Sequence, residues 1–163
     1  MLSAVEAWGT FTTIVGSAAA ALLGLLFVAV SIKVDAIAAS AELRNRAAQT
    51  LGLFVTVLFI SLFMAVPGQS VRALGAELIC LALTTGTVLY VLDRRARSGP
   101  SIQPVGRLLD TVAPNAVTSL LLLAAALVLT SGERSGLYVL IAPVIVALSG
   151  GVLSAWLLLV RTT

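Results

Sequence analysis

The stretch Thr10–Ile32, TFTTIVGSAAAALLGLLFVAVSI, contains no charged side chain. As a helix with 1.5 Å of rise per residue it is about 35 Å long. That spans a hydrocarbon core of roughly 30 Å. Four further apolar stretches follow, over about Ala47–Val66, Ala73–Leu92, Val112–Thr130 and Leu137–Val160. In lipid the backbone must satisfy its own hydrogen bonds, so such stretches are read as helices. The fold expected is therefore all-α: a single transmembrane domain over residues 1–163, built as a bundle of five membrane-spanning helices.

Composition supports this reading. The chain is 60% hydrophobic and 10% charged, whereas soluble domains carry about 25% charged residues. The longest polar stretch, from Asp93 to about Asp110, is too short to fold alone. The start does not read as a secretory signal, because it lacks a basic leading region and Glu6 is its only charge. Of the ten lysine and arginine residues, eight flank one side of the spans: Lys33, Arg44, Arg46, Arg94, Arg95, Arg97, Arg107 and Arg161. Arg72 and Arg134 flank the other. The positive-inside rule then places the N-terminus outside and the C-terminus in the cytoplasm of the cell membrane.

Several chemistries lose support. There is no histidine, so the commonest metal ligand and the usual general base near neutral pH are missing. Cys80 is the only cysteine and makes neither an internal disulfide nor a paired-cysteine site. No Walker A, GxSxG or HExxH motif occurs. An enzyme is not expected, nor is a cofactor or bound metal. The net charge of +3 comes from the short loops beside spans, where it sets orientation, so nucleic acid is not an expected partner.

Some residues invite a functional reading. In the first span Thr10, Thr13, Ser17, Ala20, Ala21, Gly24 and Ser31 form a small and hydroxylated stripe. Gly16, Ala20 and Gly24 form a small-xxx-small series beside it, which lets helix backbones approach closely. The stripe reads either as a packing face or as the lining of a path. In the third span Glu77, Cys80, Thr84 and Thr87 follow each other at steps of three and four, which puts them on one helix face. Glu77 is the one acidic residue within a span. A charge at the bilayer centre costs at least about 2.5 kcal/mol, so Glu77 either reaches the headgroups or sits at the mouth of a cation path.

The second span opens with Gln49, Gly52 and Thr56 on nearly one face. Asn115, Thr118 and Ser119 make a polar patch at the start of the fourth. Both patches read as interhelical hydrogen-bonding groups. In the fifth span Pro143 and the pair Gly150-Gly151 are recognised causes of kinks, so they mark either a static bend or a hinge. Residues 33–46 lack glycine and proline and read as helical, with the second span beginning near Ser40. The 93–110 segment contains Ser98-Gly99-Pro100 and Pro104 and reads as irregular. Arg94, Arg95 and Arg97 there either set topology only or touch anionic lipid, at about 1 kcal/mol each. Trp8, Tyr138, Tyr90 and Trp156 fall near span ends, as an aromatic belt requires.

The segment from Gly16 to Ser31, GSAAAALLGLLFVAVS, resembles the first helix of small uncharacterised multi-spanning membrane proteins of bacteria. The resemblance implies a bacterial cytoplasmic membrane and no particular activity. Two functions are consistent with all of these features. One is a homo-oligomer enclosing a passive channel or small-solute path, lined by the polar stripes. The other is a non-catalytic accessory or scaffold subunit docked in a larger membrane complex. In either case the partners are membrane lipids and the helices of other copies or other chains.

Overall fold

The computed structural model describes residues 8–97 and 114–161. Glu6, the start of the fourth apolar stretch at Val112, and the segment 98–113 with Arg107 lie outside the described residues. Among those described, every regular element is a helix: α1 (Gly9–Ile32), α2 (Val34–Ala39), α3 (Ala41–Met64), α4 (Val71–Arg97), α5 (Pro114–Thr130), α6 (Gly136–Val139) and α7 (Ile141–Arg161). Four segments are long and apolar enough to cross a membrane: Gly9–Ile32, Leu43–Met64, Val71–Leu92 and Gly136–Leu157. Helix α5 is also apolar but has only 17 residues, at the short end of the spanning range.

Several boundaries have a local cause. Ser40 separates α2 from α3. Its backbone is extended, and its hydroxyl accepts from the Leu43 N–H at 3.4 Å, which caps α3. Pro67-Gly68 turns the chain from α3 into α4, and Gly68 takes φ +69°, a conformation that glycine adopts without steric cost. Helix α4 then continues through Asp93-Arg94-Arg95-Ala96-Arg97, beyond the end of its apolar stretch. Arginine and alanine are strong helix formers, and cations suit the C-terminal end of the helix dipole. In the last stretch the helix is interrupted at Leu140, between α6 and α7. Pro143 has no N–H to donate to the Val139 carbonyl four residues back, and its ring crowds that carbonyl. The helix runs without interruption through Gly150 and Gly151.

Helices α3, α4, α5 and α7 pack as a ring, each against two neighbours, and α1 lies outside it, leaning mainly on α3. The ring encloses a filled core that includes Leu53, Val57, Ile60, Leu74, Leu78, Leu122, Leu129, Leu140 and Val144. Helix α1 adds only Val15 and Ala19 to this core. A smaller cluster of Ile37 and Ala47, backed by Val30 and Leu43, joins α2 to the α1–α3 corner. The loops 65–70 and 131–135 share one end of the bundle, here termed the upper end. Helix α1 ends and α3 begins at the lower end.

Glycines set the closest approaches. A Cβ on Gly75 would lie 2.7 Å from the Thr130 backbone nitrogen and 3.0 Å from the Ala126 carbonyl oxygen, so α4 and α5 meet backbone to backbone. A Cβ on Gly151 would lie 2.5 Å from the Phe54 ring. Gly24, by contrast, borders open space: a Cβ there would have no neighbour within 4 Å. A Gly75→Ala change is therefore expected to destabilise the fold by about 1–3 kcal/mol through overpacking. Gly24→Ala should leave the monomer unchanged or slightly more stable, since alanine is the better helix former. Thermal unfolding of both variants in detergent checks the contrast.

Candidate functional site

Most of the described helical threonines follow one local rule. The hydroxyl donates to the carbonyl three or four residues back. Thr13 donates to Gly9 at 2.9 Å, Ser31 to Phe27 at 2.8 Å, Thr50 to Arg46 at 2.9 Å, Thr56 to Gly52 at 2.7 Å, Thr84 to Cys80 at 2.8 Å and Thr87 to Leu83 at 2.6 Å. This satisfies the donor without help from another helix. The oxygen keeps lone-pair capacity, which is all that such a hydroxyl can offer a passing solute or ion.

The two polar stripes face outward. On α1 the residues Thr10, Thr13, Ser17, Ala20, Ala21, Gly24 and Ser31 are all exposed, while Thr12, Val15, Ala19 and Leu26 are buried. Gly16 lies at the edge between the two faces, where a Cβ would be 3.1 Å from that of Ser61 on α3. On α4 Cys80, Thr84 and Thr87 are exposed and Glu77 is half-buried, while Leu74, Leu78, Leu81 and Ala82 point into the core. Helix α1 leans on α3 and α7, and α4 packs between α3 and α5. The two stripes thus occupy separate flanks of the chain and do not line one path within a single copy.

Glu77 has a partner that spacing did not reveal. The Gln69 amide donates to Glu77 Oε2 at 2.7 Å. The turn at Gly68 lays Gln69 back over the start of α4, and no helix periodicity relates the two residues. The Oε1 atom of Gln69 is buried and has no hydrogen-bond partner. Nearby, the Arg72 guanidinium lies against Gly132, which has φ +90°, so α4 and the 131–135 loop meet at the upper end. There too Trp8 packs edge-on against Phe11 and against Tyr138, with ring centroids 5.3 and 5.0 Å apart.

The remaining candidates are distributed. Gln49 and Gly52 are half-buried and Thr56 is buried on α3. Ser119 faces Gly86 of α4, with its Oγ 3.5 Å from the glycine's Cβ position. Pro143 is buried behind the Leu140 interruption, Gly150 is half-buried, and Gly151 receives Phe54. Arg94, Arg95 and Arg97 lie in the last turns of α4, with Arg94 exposed. No group of three or more histidine, cysteine, aspartate or glutamate side chains suited to a metal ion occurs among the described residues. Comparison with protein-family models, with curated proteins and with solved structures finds no match for the chain.

The Gln69–Glu77 bond gives a direct test of this geometry. Truncating each residue to alanine, singly and together, should reveal a favourable coupling of about 1 kcal/mol, the scale of a partly exposed hydrogen bond to a charged group. Unfolding measured at neutral pH provides the four stabilities. Strictly additive effects would mean that the two side chains do not interact.

Proposed function

We propose that the chain is a five-span protein of a bacterial cytoplasmic membrane that self-associates to enclose a passive path for small cations or other small solutes. One observation carries this reading. Cys80, Thr84 and Thr87 lie on the outside of a bundle whose inside is filled. A polar line along a lipid-facing helix gains nothing from hydrocarbon, and hydroxyl and small side chains are what helix–helix interfaces in membranes use. Covering that line with the same face of further copies encloses it. Glu77 then stands about 9 Å along α4 from its upper end, where it concentrates cations at the mouth. The absence of a second intramembrane charge to pair with it favours passive passage over coupled transport.

In this reading α5 is the fifth crossing, tilted little because its apolar length is short. The upper end is extracytoplasmic and the lower end, with the arginines that close α4, is cytoplasmic. There these arginines contact anionic headgroups. The α1 stripe, with Ala20 and Gly24 open to close approach, provides a second packing face for a neighbouring copy. The protein performs no catalysis and needs no cofactor.

The deciding experiment combines native mass with the chemistry of Cys80. A nanodisc-embedded particle should contain three or more identical chains. Cys80 should react with a water-soluble methanethiosulfonate, because that reaction needs a hydrated thiolate. A monomer, a particle carrying other polypeptides, or a Cys80 that reacts only with lipid-soluble reagents overturns the path and leaves the accessory-subunit reading. Once an oligomer is in hand, Glu77→Gln should lower cation flux in liposomes several-fold without changing the oligomer mass.

A further inference from the structure

Among the described residues four threonines are buried: Thr12, Thr50, Thr56 and Thr118. Three of them donate to the carbonyl four residues back. Thr118 does not: its hydroxyl oxygen is buried, and it makes no hydrogen bond. One turn earlier, on the same face of α5, the Oδ1 of Asn115 is likewise buried and without a partner. The residues are 2% and 9% exposed. Leaving a buried polar atom unpaired is unfavourable, and this chain pairs its other buried threonine hydroxyls with its own backbone. Two neighbouring exceptions aimed the same way call for a ligand.

The chemistry of the pair selects it. An amide oxygen requires a donor, and a hydroxyl both donates and accepts. An anion would satisfy Thr118 but repel the Asn115 oxygen. A cation would meet both oxygens, but it would sit in the first turn of α5, where the helix dipole is positive. Water donates to Asn115 and accepts from Thr118. We infer that Asn115 and Thr118 hold an ordered water molecule in the lower part of the bundle. The inference does not depend on the channel reading, since the site lies on the inner face of one chain.

The neighbouring packing fits a confined site. Ser119, next in sequence, stands against Gly86 of α4, so the α4 backbone comes close just where α5 turns its polar face inward. Asn115 sits too far inside the helix to cap it, because Pro114 already occupies the first helical position. Its amide therefore serves the interior and not the helix end.

The test uses the full-length protein in nanodiscs, with four forms: unmodified, Asn115→Leu, Thr118→Val and the double variant. A bridging water loses its value when either partner is removed. Each single change should then lower Tm by about 2–4 °C, and the double variant should be no less stable than the worse single. Thr118→Ser, which keeps the hydroxyl, should recover most of the loss. A structure resolving ordered solvent should show one peak within hydrogen-bond distance of both oxygens, lost in Thr118→Val. A Thr118→Val variant as stable as the unmodified protein or more so, additive losses, or no solvent peak overturns the inference. If Asn115→Leu fails to fold, the comparison of Thr118→Val with Thr118→Ser and the solvent peak still decide.

Discussion

The lipid-facing backbone of a chain surrounded by hydrocarbon must find its hydrogen-bond partners within the protein, because hydrocarbon supplies none. Most of the polar chemistry of this protein answers to that constraint. Hydroxyls that could instead bond to water in a soluble helix turn back onto the preceding turn, from Thr13 at one end to Ser149, which donates to the Ile145 carbonyl at 2.7 Å, near the other. The acidic side chain at Glu77 is met by an amide folded over from the turn before it. Large apolar side chains such as Leu25, Phe27 and Leu120, which a soluble protein would hide, are exposed. In lipid they are simply solvated.

The same surroundings weaken the usual cause of helix packing. Apolar side chains gain little by leaving lipid for one another, so shape decides which helices meet. In this bundle shape means glycine. Gly75 lets α4 and α5 touch through their backbones, Gly151 receives the Phe54 ring, and Gly136 lies under Leu129. The first two join α4 to α5 and α7 to α3 within the ring, and the third seats α6 on α5. Helix α1 has the shallower Gly16–Ser61 contact and buries Ala19, while Thr10, Ser17, Ala20, Ala21 and Gly24 face away from the chain.

Much of this is legible in the sequence, because apolar length and charge position respond directly to a bilayer. The helices at Gly9–Ile32 and Val71–Arg97 begin within two residues of the apolar stretches that announce them, and Ser40 falls where α3 starts. The end of α4 is less legible, since a charged run signals a loop, whereas here arginine and alanine extend the helix. Pro143 signals a weak point, but the interruption falls three residues earlier, beside the carbonyl that the missing N–H leaves free. The direction of the polar stripes cannot be read at all. Periodicity shows that Cys80, Thr84 and Thr87 share a face, and it is silent on whether that face looks inward or outward. The Gln69–Glu77 bond is hidden for a related reason: it depends on a turn rather than on a repeat.

The peripheral position of α1 bears on how the protein is made. It is the first of these helices to leave the ribosome, yet Ser61, against which Gly16 rests, emerges only later, and the α7 segment later still. Until they emerge, the face of α1 that meets α3 and α7 lacks both of those neighbours. It is suited to that interval, being the most apolar of the four long helices and having the hydroxyls of Thr12, Thr13 and Ser31 satisfied by its own chain. Its docking face is completed only when Ser61 and the α7 segment have both arrived.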